Sequence, residues 1–285
     1  MTKRRSMHRV RWWVYAIAAV VIVIALAPIV WLAIASITPS DALLEKPLRF
    51  FPQQVDLSRW HAIFTQGVNS PAGGFRVSML NSLIIACGTV VISLLVGIPG
   101  AYAFSRLRFR GRRTALLTFL ATYMVPTIAL VIPLYLIMAN LHLLNTRIGL
   151  IIVYSSFVTP FVLWSLSNYM DGVPRELDEA ATIDGAGRLR VLWSVLLPLT
   201  RPGIFAAILF ATLLCWDEFL YALIFTSTTA SKTIPVAVAE FSGKFSTDFG
   251  LVAAGGVLAA LPPVLIALAF QRYLVAGLVS GAVKG

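Results

Sequence analysis

Glu179-Ala180-Ala181-Thr182-Ile183-Asp184-Gly185, continuing as AGRLRVLWSVLL over residues 186–197 to Pro198, is the stretch on which the reading of this chain turns. Just upstream, Pro174 suits the first turn of a helix, where its missing N–H costs nothing, and Arg175-Glu176 follow in that turn. Leu177, Ala180, Ala181 and Asp184 recur at i, i+3, i+4 and i+7, which predicts a narrow helical face of small side chains. Gly185 is a natural terminator, because glycine takes the left-handed conformation freely. A short second helix is predicted next, with Leu189, Leu192, Trp193 and Leu196 on one face and Pro198 closing the segment. Small alanines let another protein approach closely. The flanking carboxylates Asp178, Glu179 and Asp184 offer it charge pairs.

The rest of the chain is apolar. Of 285 residues 59% are hydrophobic and 12% charged, with a mean hydropathy of +0.86. A water-soluble domain of this size needs far more charge to cover its surface, so the chain is read as an all-α integral membrane protein. The net charge of +11 does not point to nucleic acid, because the basic residues gather at the ends of apolar runs. Cys87 and Cys215 both lie inside apolar runs, so neither a structural disulfide nor a cysteine metal site is expected.

Residues 1–11 form a basic cytoplasmic tail with Lys3, Arg4, Arg5, Arg9 and Arg11, and Trp12-Trp13 open a first membrane helix over 12–37. It is too long for a signal-peptide core and is read as retained. Residues 38–76, rich in proline and glycine, read as an extracytoplasmic loop with a short amphipathic helix near 57–64. A core of five further helices is placed within 77–275, at about 77–104, 116–138, 149–169, 203–225 and 251–270, with a C-terminal tail at 276–285. Each run supplies the ~20 apolar residues that a span needs. Arg106, Arg108, Arg110, Arg112 and Arg113 read as a topology anchor. Six spans with both termini cytoplasmic leave only Lys46, Arg49, Arg59, Arg76, Arg147, Lys232 and Lys244 outside, and place the charged loop 171–201 inside.

The spacing of Glu179, Ala180, Ala181, Gly185, Val195, Leu197 and Pro198 resembles the E-A-A signature of permease subunits of binding-protein-dependent ABC importers. Valine stands where isoleucine is commonest. Trp216-Asp217-Glu218-Phe219, Lys232-Thr233-Ile234-Pro235-Val236 and the tail Gly277–Gly285 resemble the maltose-type carbohydrate permeases, in particular the shorter, second subunit of the pair. Asp217 departs from the asparagine common there. The resemblance implies a type I ABC importer permease fold in a prokaryotic inner or plasma membrane. It implies that Glu179, Ala180, Ala181, Asp184, Gly185 and Pro198 form a coupling element seated in a separate ATPase. The implied partners are a second homologous permease, two cytoplasmic ATPase subunits, an extracytoplasmic sugar-binding protein probed by the loop at 227–249, and membrane lipid. No cofactor is expected on this chain, since ATP and Mg belong to the ATPase. Trp193 and Pro198 are the expected anchors of the segment.

Asp217 and Glu218, beside Trp216, are placed near the middle of the fifth helix. An ionised carboxylate there costs ~2.5–3.5 kcal/mol against lipid, so both are expected to face protein or water. Lining a sugar pathway and making an interhelical hydrogen bond stay open as alternatives. The chain lacks G-x-x-x-x-G-K-[ST], and His8, His61 and His142 lie on separate segments, so no ATPase or catalytic constellation is found. A permease of the same fold for glycerol phosphate or polyamine, an ion-coupled secondary transporter using Asp217 or Glu218, and a membrane hydrolase are the rivals. The first lacks the expected basic pathway, the second leaves the E-A-A stretch unexplained, and the third has no nucleophile and base.

Overall fold

The computed structural model describes residues 12–47, 50–242 and 247–282, with backbone alone after 271. The basic tail at 1–11, Arg49, Lys244 and the last three residues lie outside the described residues. Helix α1 (Trp12–Ser36) is apolar on every side, and only Ala35 and Ser36 at its end are buried. A helix with no polar face and uncovered flanks is one that lipid solvates. Short helices α2 (Ser40–Leu44) and α3 (Ser58–Thr65) follow, the latter where the amphipathic helix is predicted.

Helix α4 (Pro71–Arg106) starts six residues before the predicted 77. Pro71, Gly73 and Gly74 read as loop punctuation, but Pro71 occupies the first turn and Ser70 Oγ caps it by accepting from Gly73 N at 3.1 Å. Beyond it, the single helix expected at 116–138 is two. Helix α5 (Arg112–Ala121) and a 3₁₀ turn (Thr122–Met124) meet α6 (Thr127–Asn140) at a bend of 96°. The residue before a proline is driven out of the helical region, and Val125, before Pro126, is extended.

Helix α7 (Arg147–Asp171) lies along α4 as the most extensive helix pair. A β-carbon at Gly88, Gly97 or Gly100 of α4 would stand 2.7–2.8 Å from side-chain atoms of Ile151, Val162 or Leu163, so the stripe of glycines is what lets the backbones close. Leu150, Tyr154, Val158, Val162 and Leu166 of α7 are fully or almost fully buried against it.

The charged loop holds α8 (Glu176–Ile183), α9 (Arg188–Val191), a π turn (Leu192–Leu196) and α10 (Leu197–Leu199). Helix α11 (Arg201–Trp216) then turns by 79°. The helix expected at 203–225 is interrupted at 217–219 and resumes as α12 (Leu220–Phe225). The loop after α12 contains α13 (Ile234–Glu240). The last helix, α14 (Phe249–Ala282), passes through the Pro262-Pro263 pair and continues over most of the stretch expected as a tail from 276. Among the described residues α1, α4, α7 and the described part of α14 are each long and apolar enough to cross a membrane, and two bent pairs raise this to as many as six if each is one span.

Candidate functional site

Helix α8 carries Glu176, Asp178 and Glu179 in its first turn, the end where a helix dipole favours negative charge. Its other end is a Schellman motif. Ala186 N donates to Ala181 O at 2.9 Å, Gly185 N donates to Thr182 O at 3.0 Å, and Gly185 sits at φ +83°. Nothing lies within 4 Å of where a Gly185 β-carbon would be, so the demand at this position is conformational, not steric. Glu179, Ala180, Asp184 and Gly185 are exposed and Ala181 half-buried. Ile183, 85% exposed, adds an apolar side chain to this outward surface.

What holds the segment is a set of contacts to the end of α4 that the sequence reading missed. Arg106 Nε stands 2.5 Å from Asp178 Oδ2, both side chains largely out of solvent. Arg106 Nη2 also donates to Val173 O at 2.9 Å. Arg175 Nη2 donates to Ser105 O at 3.1 Å, and Ser105 Oγ donates to Asp171 Oδ1 at 2.8 Å. Burial pushes the Asp178 carboxyl above its ordinary range, and Arg106 and Arg175 pull it down only in part. The desolvation is thus incompletely repaid, and Asp178 Oδ1 is buried without a hydrogen bond among the described residues. Between the flanking helices the joint is tight: a β-carbon on Gly203 of α11 would lie 2.3 Å from Cγ of Tyr169 on α7.

Trp193 is not an anchor. It is 65% exposed, as is Leu189 at 74%, while Leu192 and Leu196 are buried. The four residues predicted for one face split between its two edges, and the core takes only the Leu192–Leu196 edge. Pro198 is exposed within α10, one residue before that helix ends at Leu199. The π turn immediately before it lies where Pro198 has no N–H to offer the carbonyl four residues back.

Asp217 and Glu218 sit in the interruption between α11 and α12, not mid-helix. Glu218 points inward as a cap: Tyr221 N donates to Oε1 at 2.8 Å, Ala222 N to Oε2 at 3.1 Å, and the Tyr154 hydroxyl to Oε2 at 2.6 Å. Asp217 is exposed, and its carboxylate makes no hydrogen bond or ion pair among the described residues. Trp216 is buried, donating from Nε1 to Ala259 O of α14 at 3.0 Å. The two acids therefore serve different surfaces, and Trp216 belongs to the packing between α11 and α14.

Broken and continuous apolar helices around a clamped, glycine-ended connecting helix make this a membrane protein of the multi-span helical class. A family model described as the binding-protein-dependent transport system inner membrane component matches residues 89–280, and the chain belongs to that family. It is 35% identical over 280 residues to the trehalose transport system permease protein SugB of Mycobacterium tuberculosis, covering 98% of this chain and 99% of that one. It is 33% identical over 269 residues to the trehalose/maltose transport system permease protein MalG of Thermococcus litoralis, covering 94% and 95%. Its fold matches a chain of a bacterial ABC transporter that imports the acidic polysaccharide alginate, with a TM-score of 0.75, 24% identity, and 96% and 99% coverage. The architecture is that of the type I ABC importer permeases.

Proposed function

We propose that this chain is the permease subunit of an ATP-driven importer and forms one half of a membrane pathway for a di- or oligosaccharide. Its partners are a second homologous permease, two cytoplasmic ATPase subunits that hold ATP and Mg, and an extracytoplasmic binding protein. In this reading α1, α4, α5 with α6, α7, α11 with α12, and α14 make six spans of a prokaryotic inner or plasma membrane. Both termini and α8 are cytoplasmic, as the distribution of basic residues supports.

The observation that carries the reading is α8 itself. An exposed helix of small residues and carboxylates, stopped by Gly185 and fixed to α4 through Arg106 and Asp178, transmits force only if something pushes on it. Sugar as the cargo is supported by the relatives, whose names give trehalose, maltose and diacetylchitobiose. No lysine or arginine lies in the central turns of α4, α7 or α11, which suits a neutral solute. Of the two acids, Asp217 is free to meet hydroxyl groups, whereas Glu218 is spent on the backbone of α12.

The test is a mild-detergent pull-down of the tagged chain from its native membranes, beside a Glu179→Lys version. An ATPase that copurifies with the parent and is lost on charge reversal is the expected result. A well-folded parent without any ATPase in several detergents refutes the reading. Uptake of a panel of labelled sugars, glycerol phosphate and polyamines then decides the cargo.

A further inference from the structure

Four arginines meet at an open pocket of about 430 Å³ between the end of α4 and the connecting segment. Arg106 closes α4, Arg108 stands just beyond it, Arg175 precedes α8 and Arg188 begins α9. Two of the four are committed to the fold. Arg106 holds Asp178 and Val173 O, and Arg175 holds Ser105 O. Arg108 and Arg188 are exposed and make no hydrogen bond or ion pair among the described residues. The Tyr102 hydroxyl, also without a hydrogen bond there, lies within electrostatic reach of Arg106 and Arg188. Residues far apart in the chain thus turn cationic and donor groups onto one volume.

Helix α8 lends this pocket Asp178, Glu179 and Thr182, whereas Ala180, Ile183 and Asp184 form its outward surface. Residues one or two apart on a helix do not share a face, so the pocket lies in the joint between α8 and α4. It is separate from the surface that the proposed ATPase would cover. Four guanidinium groups against the carboxylates of Asp178 and Glu179 leave two positive charges in excess. Like charges gathered without a counterion repel, so an anion is stabilised here. The size of the excess selects its type. A phosphate monoester carries about −1.5 to −2 at pH 7 on three acceptor oxygens, and guanidinium groups bind such oxygens in pairs. A carboxylate brings a single charge, and a neutral sugar none.

We infer that Arg108 and Arg188, with Arg106 and Tyr102 behind them, form a phosphate-monoester site at the joint between α4 and α8. A bound phosphate ties the stretch after α4 to the start of α9 and stiffens the mount of α8. Two sources carry that group: a phosphorylated small molecule in solution, or phosphatidate in the bilayer. The site goes beyond the importer reading, and its test needs no ATPase activity.

The tagged chain is purified from native membranes into phosphatidylcholine nanodiscs, and hydrogen exchange over residues 176–191 is followed by mass spectrometry. Glucose 6-phosphate is added to one sample, and glucose with chloride at matched ionic strength to another. A further pair of nanodiscs contains phosphatidate or, as a phosphodiester of lower charge, phosphatidylglycerol. A ligand held only by the closed joint slows its opening about tenfold at about ten times Kd. Slowing of that order is expected from glucose 6-phosphate or from phosphatidate, and the one that acts names the source. Arg108→Gln/Arg188→Gln removes the slowing and leaves exchange without ligand near that of the parent. Arg190→Gln, beside the pocket but not lining it, retains the slowing. No slowing by either phosphate monoester, equal slowing by chloride or phosphatidylglycerol, or slowing that survives the double variant overturns the inference. An equal loss in Arg190→Gln marks diffuse charge attraction and overturns it too.

Discussion

Replacing Arg106 with leucine removes the cation paired with Asp178 at 2.5 Å and leaves Arg175 as the other positive charge acting on it. Taking one partner from a buried ion pair costs ~3–5 kcal/mol, because the survivor stays buried and unpaired. Asp178 keeps 18% of its side chain in solvent, so the lower end, ~3 kcal/mol, applies. The replacement also strands Val173 O, which Arg106 Nη2 now serves at 2.9 Å. Asp178 already has an oxygen buried without a hydrogen bond and gains no substitute. The energy is local, since it holds α8 and its leading turn on the end of α4. At 1.4 kcal/mol per tenfold, amide exchange over residues 176–186 is expected to speed up about 100-fold, with the interior of α7 unchanged. Hydrogen exchange by mass spectrometry on the purified chain reads this directly. In the Arg106→Leu/Asp178→Leu double variant most of the protection returns, because two apolar side chains leave no charge to desolvate. Exchange at 176–186 within about threefold of the parent in Arg106→Leu, or a double variant no better than that single one, would refute the reasoning.

Gly185→Ala places a β-carbon at φ +83° with open space around it, so the cost is backbone strain alone. About 1 kcal/mol is expected, with Gly185→Asn costing less, read as earlier fraying of α8 by exchange. Gly203→Ala drives a methyl into the Tyr169 ring and is expected to lower thermal stability in detergent by ~1–3 kcal/mol. Adding Tyr169→Ala should relieve the clash, and a double variant no more stable than Gly203→Ala contradicts it. Glu218→Ala removes the acceptor of two backbone N–H groups and of the Tyr154 hydroxyl, for an expected loss of ~2–3 kcal/mol. Asp217→Asn should stay within ~0.5 kcal/mol of the parent while sugar uptake falls. Equal thermal losses in the two variants would refute the assignment of the two acids to different surfaces.

The features legible in the sequence were those that a residue type decides by itself. Gly185 ends α8 because few other residues accept its φ, and the alanines before it need no distant partner to be helical. The clamp was not legible. Arg106, Arg108, Arg110, Arg112 and Arg113 look alike as a string, and only the fold shows that Arg106 is the last residue of α4, with its side chain turned onto Asp178. The interruption at 217–219 was hidden for a similar reason. The flanking runs are apolar on both sides, so hydropathy passes straight through, and the cap that starts α12 needs Tyr154 from another helix. Pro126 was visible, but proline inside a span bends it by an amount that packing sets. Pro28, Pro133 and Pro160 sit within continuous helices, while Pro126 follows an extended residue at a 96° turn. Asn145 carried no signal, since the loop its side chain holds, at 227–231, is some 80 residues away.

These parts divide the molecule mechanically. Helix α4 carries both ends of the problem, with Asn81 and Ser82 on the loop at 226–234 and Ser105 and Arg106 on the segment around α8. Between them its glycine stripe lies directly against α7. The pair is therefore a stiff rod joining two surfaces. The breaks at 125–126 and 217–219 lie off this rod and are linked to each other, with the Tyr221 hydroxyl 3.4 Å from Thr127 O. Continuous helix resists bending because each turn is hydrogen-bonded to the next, whereas these two places have already given up that ladder. In the importer proposed above, a load on α8 would be carried by α4 and α7 together, and the backbone would yield where α6 and α12 begin.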